Sequence, residues 1–268
     1  MNNNIYIPQI PLLQNIIPFI WQWNGITEFK NETIIPKGII EIIFDFGEHD
    51  SLQGKLNGKS FQLAKCFING FNTSPINLQL PERHTFLGVQ FHASAVKGIF
   101  RFAPGEFTNL VVDLSLLNVF FSSLWHQLAE KNSFAERVSV ILTWIKCKMS
   151  PINHQEQFLS QFLRNSAHEA KTVTQLSRFT CCCTRQLSRK IYELTGMNTE
   201  EVLLYKKYLH SVDLVHHTGF SLTQIAYMSN FADQSHFIKS FKAFAQMTPG
   251  EYRLNKSHLK GHIFENVR

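Results

Sequence analysis

The sequence is poor in charge and lacks the short motifs that mark most catalytic sites. Charged residues make up 17% of the 268 positions and apolar residues 44%, a balance that excludes an intrinsically disordered chain. There is no glycine-rich phosphate loop, no His-Glu-x-x-His motif and no Gly-x-Ser-x-Gly nucleophile elbow. We therefore predict no catalytic residue, no metal site, no cofactor and no enzymatic activity.

Cysteine is scarce and unevenly placed. The five cysteines are Cys66, Cys147 and the run from Cys181 to Cys183. An odd number favours free thiols in a reducing compartment over a disulfide framework. Adjacent cysteines also lack the two-residue spacing with which a chain wraps around zinc, so a metal or redox site at this run is the weaker interpretation.

Targeting and membrane segments are missing as well. No charged residue precedes Glu28, so the N-terminus has no basic region, and Asn, Gln and Pro interrupt its apolar residues. The best candidate for a membrane span contains Asp113 and His126, which break the apolar run that a bilayer requires. We expect a cytoplasmic protein without a membrane contact.

Short apolar runs separated by turn residues fill the first part of the chain, up to about residue 112. The runs at 39–46 and 86–91 are alternating or wholly apolar, and glycines and prolines bound them. This pattern predicts a mostly β, barrel-like domain over residues 1–113.

The apolar spacing then changes from strand-like to helical. Apolar residues recur every three or four positions over 116–128 and again over 134–145. We predict a helical connector over residues 114–150, whose apolar stripe packs either in the core or against a second copy in a homodimer. Pro151 begins a further predicted helix, which ends near Asn165.

The C-terminal region contains the same pattern twice. Residues 172–177 (TVTQLS) match residues 221–226 (SLTQIA) at an offset of 49, and four later positions match at an offset of 50. Each copy opens with Ser or Thr followed three residues later by Gln, the capping box that begins a helix. Such a duplication indicates one structural unit used twice.

Each copy continues into a second helix with an apolar stripe and a polar face. The stripe is Leu187 and Ile191 in the first copy and Phe237 and Phe241 in the second. The polar faces carry side chains suited to base edges and phosphates: Arg185, Ser188 and Arg189, then Gln234, Ser235, His236 and Lys239. This pattern is typical of a helix-turn-helix unit with an exposed recognition helix.

Basic residues are concentrated in the same region. Residues 166–268 hold 13 Lys and Arg against 8 Asp and Glu, whereas residues 1–165 hold 13 against 12. An excess of positive charge favours a polyanionic partner. Together with the duplicated unit, this excess predicts binding to double-stranded DNA.

The second copy resembles the signature of the AraC/XylS family of transcription regulators. The resemblance rests on residues 221–242 and 247–253, in which many positions fall at the family's spacing: Ile225, Ala226, Phe231, Ser235, Phe237, Phe241, Lys242, Pro249, Tyr252 and Arg253. Some positions depart from the family pattern, where Gly or Ser is usual: Cys181, Cys183, Asn230 and Gln246.

The resemblance implies an α+β chain whose C-terminal all-α domain, residues 151–255, holds two helix-turn-helix subdomains, with residues 256–268 as a tail. A rigid helix from about Thr199 to His217 would span roughly 27 Å at ~1.5 Å per residue and hold the recognition helices about one turn of DNA apart. Lys242 joins the seven polar residues as a phosphate contact. The resemblance also implies RNA polymerase as a partner, as for an activator.

The N-terminal region is similar to an uncharacterised β-rich domain that precedes this module in some family members. The similarity rests on residues 19–21, 35–43 and 87–91, and it implies that the domain senses a small-molecule effector or mediates dimerisation. Three large side chains are candidates for lining a pocket, although core positions are the commoner role of such residues: Trp21, Trp23 and Phe44.

Two other classes of protein stay open on the sequence alone. The N-terminal domain could be an enzyme that the C-terminal domain directs to DNA, and stoichiometric zinc in the purified protein would favour this class. Alternatively, the divergent first copy and the low charge density suit an interaction protein whose degenerate helix-turn-helix units no longer contact DNA. Failure to enrich a shared DNA motif would favour that second class.

Overall fold

The computed structural model describes residues 2–26, 28–48, 52–149, 158–159, 161–163 and 172–265. Its strands are β1 (Asn2–Tyr6), β2 (Ile20–Ile26), β3 (Asn31–Ile34), β4 (Ile40–Asp45), β5 (Gln53–Leu56), β6 (Lys59–Gln62), β7 (Cys66–Asn69), β8 (Ile76–Gln79), β9 (Arg83–Phe91), β10 (Val111–Asp113) and β11 (His262–Glu265).

Its α-helices are α1 (Pro11–Gln14), α2 (Ala93–Phe100), α3 (Leu114–Leu117), α4 (Phe120–Ala129), α5 (Phe134–Lys148), α6 (Val173–Thr180), α7 (Thr184–Thr195), α8 (Thr199–His217), α9 (Leu222–Met228), α10 (Gln234–Ala245) and α11 (Pro249–Asn255). A 3-10 helix spans Pro104–Phe107. The chain is therefore α+β, with its strands mostly in the N-terminal part, as the sequence predicts.

The strands form two antiparallel sheets. One has the order β1-β2-β9-β4-β7-β10, and the other has the order β11-β3-β8-β5-β6. Leu52 and Leu63, which flank β5 and β6, pack with Phe67 of β7 in one apolar cluster. The two sheets therefore face each other. On the opposite face of the first sheet, Ile42 and Val89 are fully buried in the main core.

The helices between the two halves differ in part from the sequence prediction. Residues 93–100 form α2 inside the stretch predicted as strands, because Val96, Ile99 and Phe100 recur at helical spacing and are buried. Asn118 is extended (φ −158°, ψ 125°) and separates α3 from α4. As a result Leu116, predicted to lie on a continuous apolar stripe, is 82% exposed.

The remaining apolar stripe of the connector packs within the chain itself. Leu124 and Leu128 of α4 and Ile141 and Ile145 of α5 are almost fully buried and belong to the main hydrophobic cluster. Of the two alternatives for this stripe, core packing is the one that the structure shows. The predicted helix from Pro151 to Asn165 begins and ends outside the described residues.

The long helix α8 is anchored to the N-terminal part of the chain. The Tyr205 hydroxyl donates to the Asn72 carbonyl (2.8 Å) and accepts from the Gly38 N–H (3.0 Å). The Tyr208 hydroxyl donates to the Pro36 carbonyl (3.2 Å). Burial raises the pKa of both phenols, so both act as neutral hydrogen-bonding groups inside the contact.

The tail predicted after residue 255 contains a strand. β11 pairs antiparallel with β3, placing His262 opposite Ile34, and Ile263 is buried. Four residues are too few to show a periodic pattern, so this strand could not be predicted from the sequence. The chain thus returns from the helical half to complete an N-terminal sheet.

None of the helices in the described ranges combines the length and the apolar character needed to cross a membrane.

Candidate nucleic-acid interface

The first helix-turn-helix unit consists of α6 and α7. α6 begins at a capping box, in which Thr172 Oγ1 accepts from the Gln175 N–H (3.2 Å) and Gln175 Oε1 accepts from the Thr172 N–H (3.1 Å). Cys181 ends this helix with a left-handed φ of +53°, which glycine adopts with less strain. Cys183 is the N-cap of α7 but contributes no side-chain hydrogen bond. Two of the departures from the family pattern therefore fall in this turn.

The second unit consists of α9 and α10 and is capped more completely. Ser221 Oγ accepts from the Gln224 N–H (3.2 Å) at the start of α9. Asp233 Oδ1 accepts from the His236 N–H (2.7 Å) at the start of α10, where a negative charge also suits the positive end of the helix dipole. Asn230 takes the left-handed position (φ +59°), which Asn tolerates better than most residues.

Both recognition helices bury an apolar stripe and expose a polar face. The stripe residues Leu187, Ile191, Phe237 and Phe241 are all 0% exposed. Of the eight predicted DNA-contacting side chains, Gln234 is half-buried and the others are exposed: Arg185, Ser188, Arg189, Ser235, His236, Lys239 and Lys242. The structure gathers the eight residues into two polar patches, one on α7 and one on α10.

Two of these polar side chains hydrogen-bond within the protein. Ser188 Oγ lies 3.1 Å from Thr199 Oγ1 at the start of α8. Gln234 Oε1 accepts from Thr223 Oγ1 on α9 (2.6 Å). The first contact ties the recognition helix α7 to the helix that joins the two units, and the second ties α10 to its own partner helix.

α8 begins and ends at the residues predicted for the connecting helix, Thr199–His217. A capping box starts it, in which Asn198 Oδ1 accepts from the Glu201 N–H (2.9 Å). Lys206 is buried with its ammonium 4.5 Å from the centre of the Phe162 ring, and burial lowers the pKa of Lys206 to about 8. α8 is thus a helix packed against the rest of the protein and is not an exposed linker.

The first unit packs against the N-terminal part of the chain through the C-terminal end of α7. Thr108 Oγ1 donates to the Thr195 carbonyl (2.8 Å), and Lys97 forms an ion pair with Glu193 (2.5 Å). A Cβ on Gly105 would lie 2.5 Å from the Tyr192 carbonyl oxygen. The close approach of the two backbones therefore requires glycine at position 105.

A cavity lies between the N-terminal half and α8. It has a volume of about 270 Å³, and its lining includes Lys37, Phe71, Gln90, Leu209, Val212 and Lys260. The three side chains singled out from the sequence do not line it: Phe44 is fully buried in the core, while Trp21 and Trp23 are half-buried. Trp21 instead donates to Glu41 Oε1 (3.0 Å).

Several residues of these sites were not predicted from the sequence. They are Gly105 and Thr108, which contact α7, Thr223, which contacts Gln234, and the residues that line the cavity. Gly105 follows Pro104 in a short segment without periodicity, and its partner lies about 90 residues away. Thr223 carried a weak signal, since it lies inside the capping box that marks the second unit. The cavity residues are dispersed along the chain and share no motif.

The three adjacent cysteines differ in their exposure. Cys182 is buried, whereas Cys181 and Cys183 are exposed, so the three side chains do not converge. Across the described ranges, no group of three or more His, Cys, Asp or Glu residues is arranged to hold a metal ion.

Comparison with known families matches both halves of the chain. A helix-turn-helix domain matches residues 176–255, and a domain of unknown function, DUF6597, matches residues 5–113. The helix-turn-helix match covers the region in which the sequence resembles the AraC-type DNA-binding transcription regulators. The helix-turn-helix match favours a transcription regulator over an enzyme directed to DNA.

Similar solved structures include ToxT, a transcriptional regulator and a DNA-binding domain. ToxT of Vibrio cholerae, solved with an unsaturated fatty acid, is 14% identical, with 95% of this chain and 97% of that chain covered and a TM-score of 0.49. An AraC-type regulator from Chromobacterium violaceum is 21% identical over 32% of this chain and 77% of its own, with a TM-score of 0.31.

The DNA-binding domain of AdpA, solved with a target DNA, is 22% identical. The similarity covers 32% of this chain and 78% of that chain, with a TM-score of 0.31. No curated protein matches the sequence.

Proposed function

We propose that this regulator reads one DNA duplex with α7 and α10 in successive major grooves, under the control of a small molecule bound between its two halves. One observation carries the DNA-reading part. Both recognition helices bury their apolar stripes completely while their polar faces stay exposed, and one packed helix of 19 residues separates the two units. Such a helix spans roughly 27 Å at ~1.5 Å per residue, which suits recognition helices held about one turn of DNA apart.

Five of the eight polar residues have an assigned role under this proposal, either with base edges or with phosphates. Arg185, Arg189 and Gln234 carry the donors that read base edges in the major groove. Lys239 and Lys242 lie on the exposed side of α10, and lysine binds phosphate as a point charge. Ser188, Ser235 and His236 complete the two patches.

Binding-site selection from the host genome with purified protein tests the DNA-reading role. We expect a shared motif with two half-sites, and Arg185→Ala should relax the preference at one base position at a cost of ~1–3 kcal/mol. Lys242→Ala is the matched control. It should weaken binding to all DNA sequences alike and reduce the slope of log affinity against log salt concentration by about one. Equal losses on cognate and random DNA for Arg185→Ala would contradict base reading, and no shared motif would favour the interaction protein.

The cavity between the halves is the proposed effector site. Its wall joins Phe71 and Gln90 of the N-terminal half to Leu209 and Val212 of α8. A ligand there would contact α8, the helix that joins the two helix-turn-helix units. The lining also holds Lys37 and Lys260 against one carboxylate, Asp213, so a small apolar molecule with an anionic group is the best match.

Thermal denaturation with decanoate tests this site, and decanol serves as the neutral control. A ligand that binds only the folded state raises the melting temperature, so decanoate should raise it and decanol should raise it less. Leu209→Trp fills the cavity and should abolish the shift. Equal shifts for both compounds, or a shift that survives Leu209→Trp, would place the ligand elsewhere.

The other predicted partners follow from the role in transcription. We infer that the protein acts beside the chromosome, with RNA polymerase as a partner and the cytoplasm as its location. A homodimer remains a prediction, and it would need a surface other than the α4 and α5 stripe, because that stripe is buried in the core.

A further inference from the structure

Gln234 is the first residue of the recognition helix α10, and its amide contacts α9. The neighbouring N-cap Asp233 fixes the start of this helix. Thr223, an exposed residue of α9, donates its hydroxyl proton to Gln234 Oε1 over 2.6 Å. The amide oxygen therefore faces α9, and the amide nitrogen faces away from it.

This arrangement limits what Gln234 can recognise. A glutamine that reads adenine uses both ends of its amide, accepting from the adenine amino group and donating to N7. Because Thr223 occupies one of the two lone pairs of the oxygen and turns the oxygen toward α9, the two N–H donors are the end of the amide best placed to contact a base. These donors suit the acceptors of guanine (O6 and N7) or thymine (O4), and they leave the adenine amino group without a partner.

We propose that Thr223 is a positioning residue that sets the base preference of the second unit by holding the Gln234 amide in its donor orientation. The inference rests on the proposed DNA-reading role of Gln234 and names the base it reads. At the position that Gln234 contacts, the protein prefers guanine or thymine over adenine.

The first unit offers an internal comparison. By the repeat alignment, Thr174 corresponds to Thr223 and Thr184 to Gln234. A threonine at the start of α7 has no amide to orient, so the same device is not available there. The proposed preference is therefore a property of the second half-site alone.

The experiment measures binding to operator variants carrying each of the four bases in turn, and Gln234→Ala first identifies the position that Gln234 reads. Thr223→Val removes the donor at nearly constant shape, and Thr223→Ser retains it. We expect Thr223→Val to reduce the discrimination against adenine at that position by about 2- to 10-fold, the size of one hydrogen bond. Thr223→Ser should restore it, and other positions should not change.

The outcomes separate this inference from the proposed function. If Gln234→Ala alters no base position, the DNA-reading role of Gln234 is wrong. If it alters one position but Thr223→Val leaves the preference there unchanged, or if the wild-type protein prefers adenine there, the role of Thr223 is overturned and DNA reading stands. Equal melting temperatures of the threonine variants check that the fold is intact, as expected for an exposed residue.

Discussion

The two helix-turn-helix units share one sequence pattern but are stabilised differently. The first packs the end of its recognition helix against the N-terminal half through Thr108 and Gly105, and the N-cap Cys183 makes no side-chain bond. The second has a bonded Asp233 cap. Where local turn chemistry is weak, contact with another part of the chain supports the unit.

The cores of the two units also differ, and again the second unit is the better stabilised by its own residues. The second unit has an aromatic core in which the Phe237 and Phe241 rings lie 5.9 Å apart and Phe241 lies 6.0 Å from Tyr252. The first unit fills the equivalent space with Leu187 and Ile191. Aromatic side chains bury more area each, so the stability of the second unit should depend less on contacts with the N-terminal half. The following predictions test this difference.

The largest effect is expected from truncating the aromatic core. Phe237 is 0% exposed, so Phe237→Ala should reduce the free energy of unfolding by ~3–5 kcal/mol through lost transfer energy and a cavity. Chemical denaturation measures the loss, and hydrogen exchange should place it in α9 to α11. Unchanged melting would show that the helix register is wrong.

A smaller effect is expected from separating the first unit from the N-terminal half. Any side chain at position 105 collides with backbone atoms of residues 192 and 196, so Gly105→Ala should cost about 1–3 kcal/mol as overpacking. Hydrogen exchange should rise in α7 and not in α10. Gly250→Ala in the second unit is the matched control, because the nearest atom to its new Cβ is 4.0 Å away. Equal protection of α7 in both variants would contradict the supporting role of this contact.

Restoring the missing cap should strengthen the first unit modestly. Cys183→Ser supplies an oxygen that accepts from the first turn of α7, and we expect a gain of about 1 kcal/mol in unfolding free energy. Asp233→Ala should cost the second unit a similar amount. Denaturant titration of both variants measures the two values. No gain for the serine variant would contradict the view that the missing cap at Cys183 weakens the first unit.

The smallest effect concerns pH and the C-terminal strand. His262 lies between Glu32 (2.5 Å) and Lys37 (2.8 Å), near Glu41, and burial, with the Lys37 charge, lowers its pKa below the ordinary 6.5. The folded protein therefore binds the proton less readily than the unfolded chain, and stability falls as the pH drops below about 6.5. Thermal melts of wild-type and His262→Gln protein should converge as the pH falls, because only the wild type loses this contribution. Parallel curves would exclude it.

The sequence allowed prediction of features encoded locally and missed those that join distant segments. Capping boxes and apolar spacing located the repeated units, and Thr199–His217 was predicted with its observed bounds. The DNA contacts of the eight polar residues remain predictions. The break at Asn118 was missed although the Asn118 side chain accepts locally from the Phe120 N–H. The strand β11 was missed because its four residues show no period and its partner strand β3 lies far along the chain. The same holds for the Gly105 contact, whose partner lies far along the chain.

The pairing of β11 with β3 joins the C-terminal end of the described chain to the N-terminal half. The double helix-turn-helix is attached to the N-terminal half at both of its ends, by the chain before it and by a hydrogen-bonded strand after it. A fragment that stops at Asn255 would lose the second attachment and leave β3 with an unpaired edge, which invites association with other strands. Poor solubility of such a fragment would then reflect the cut itself and not the DNA-binding units.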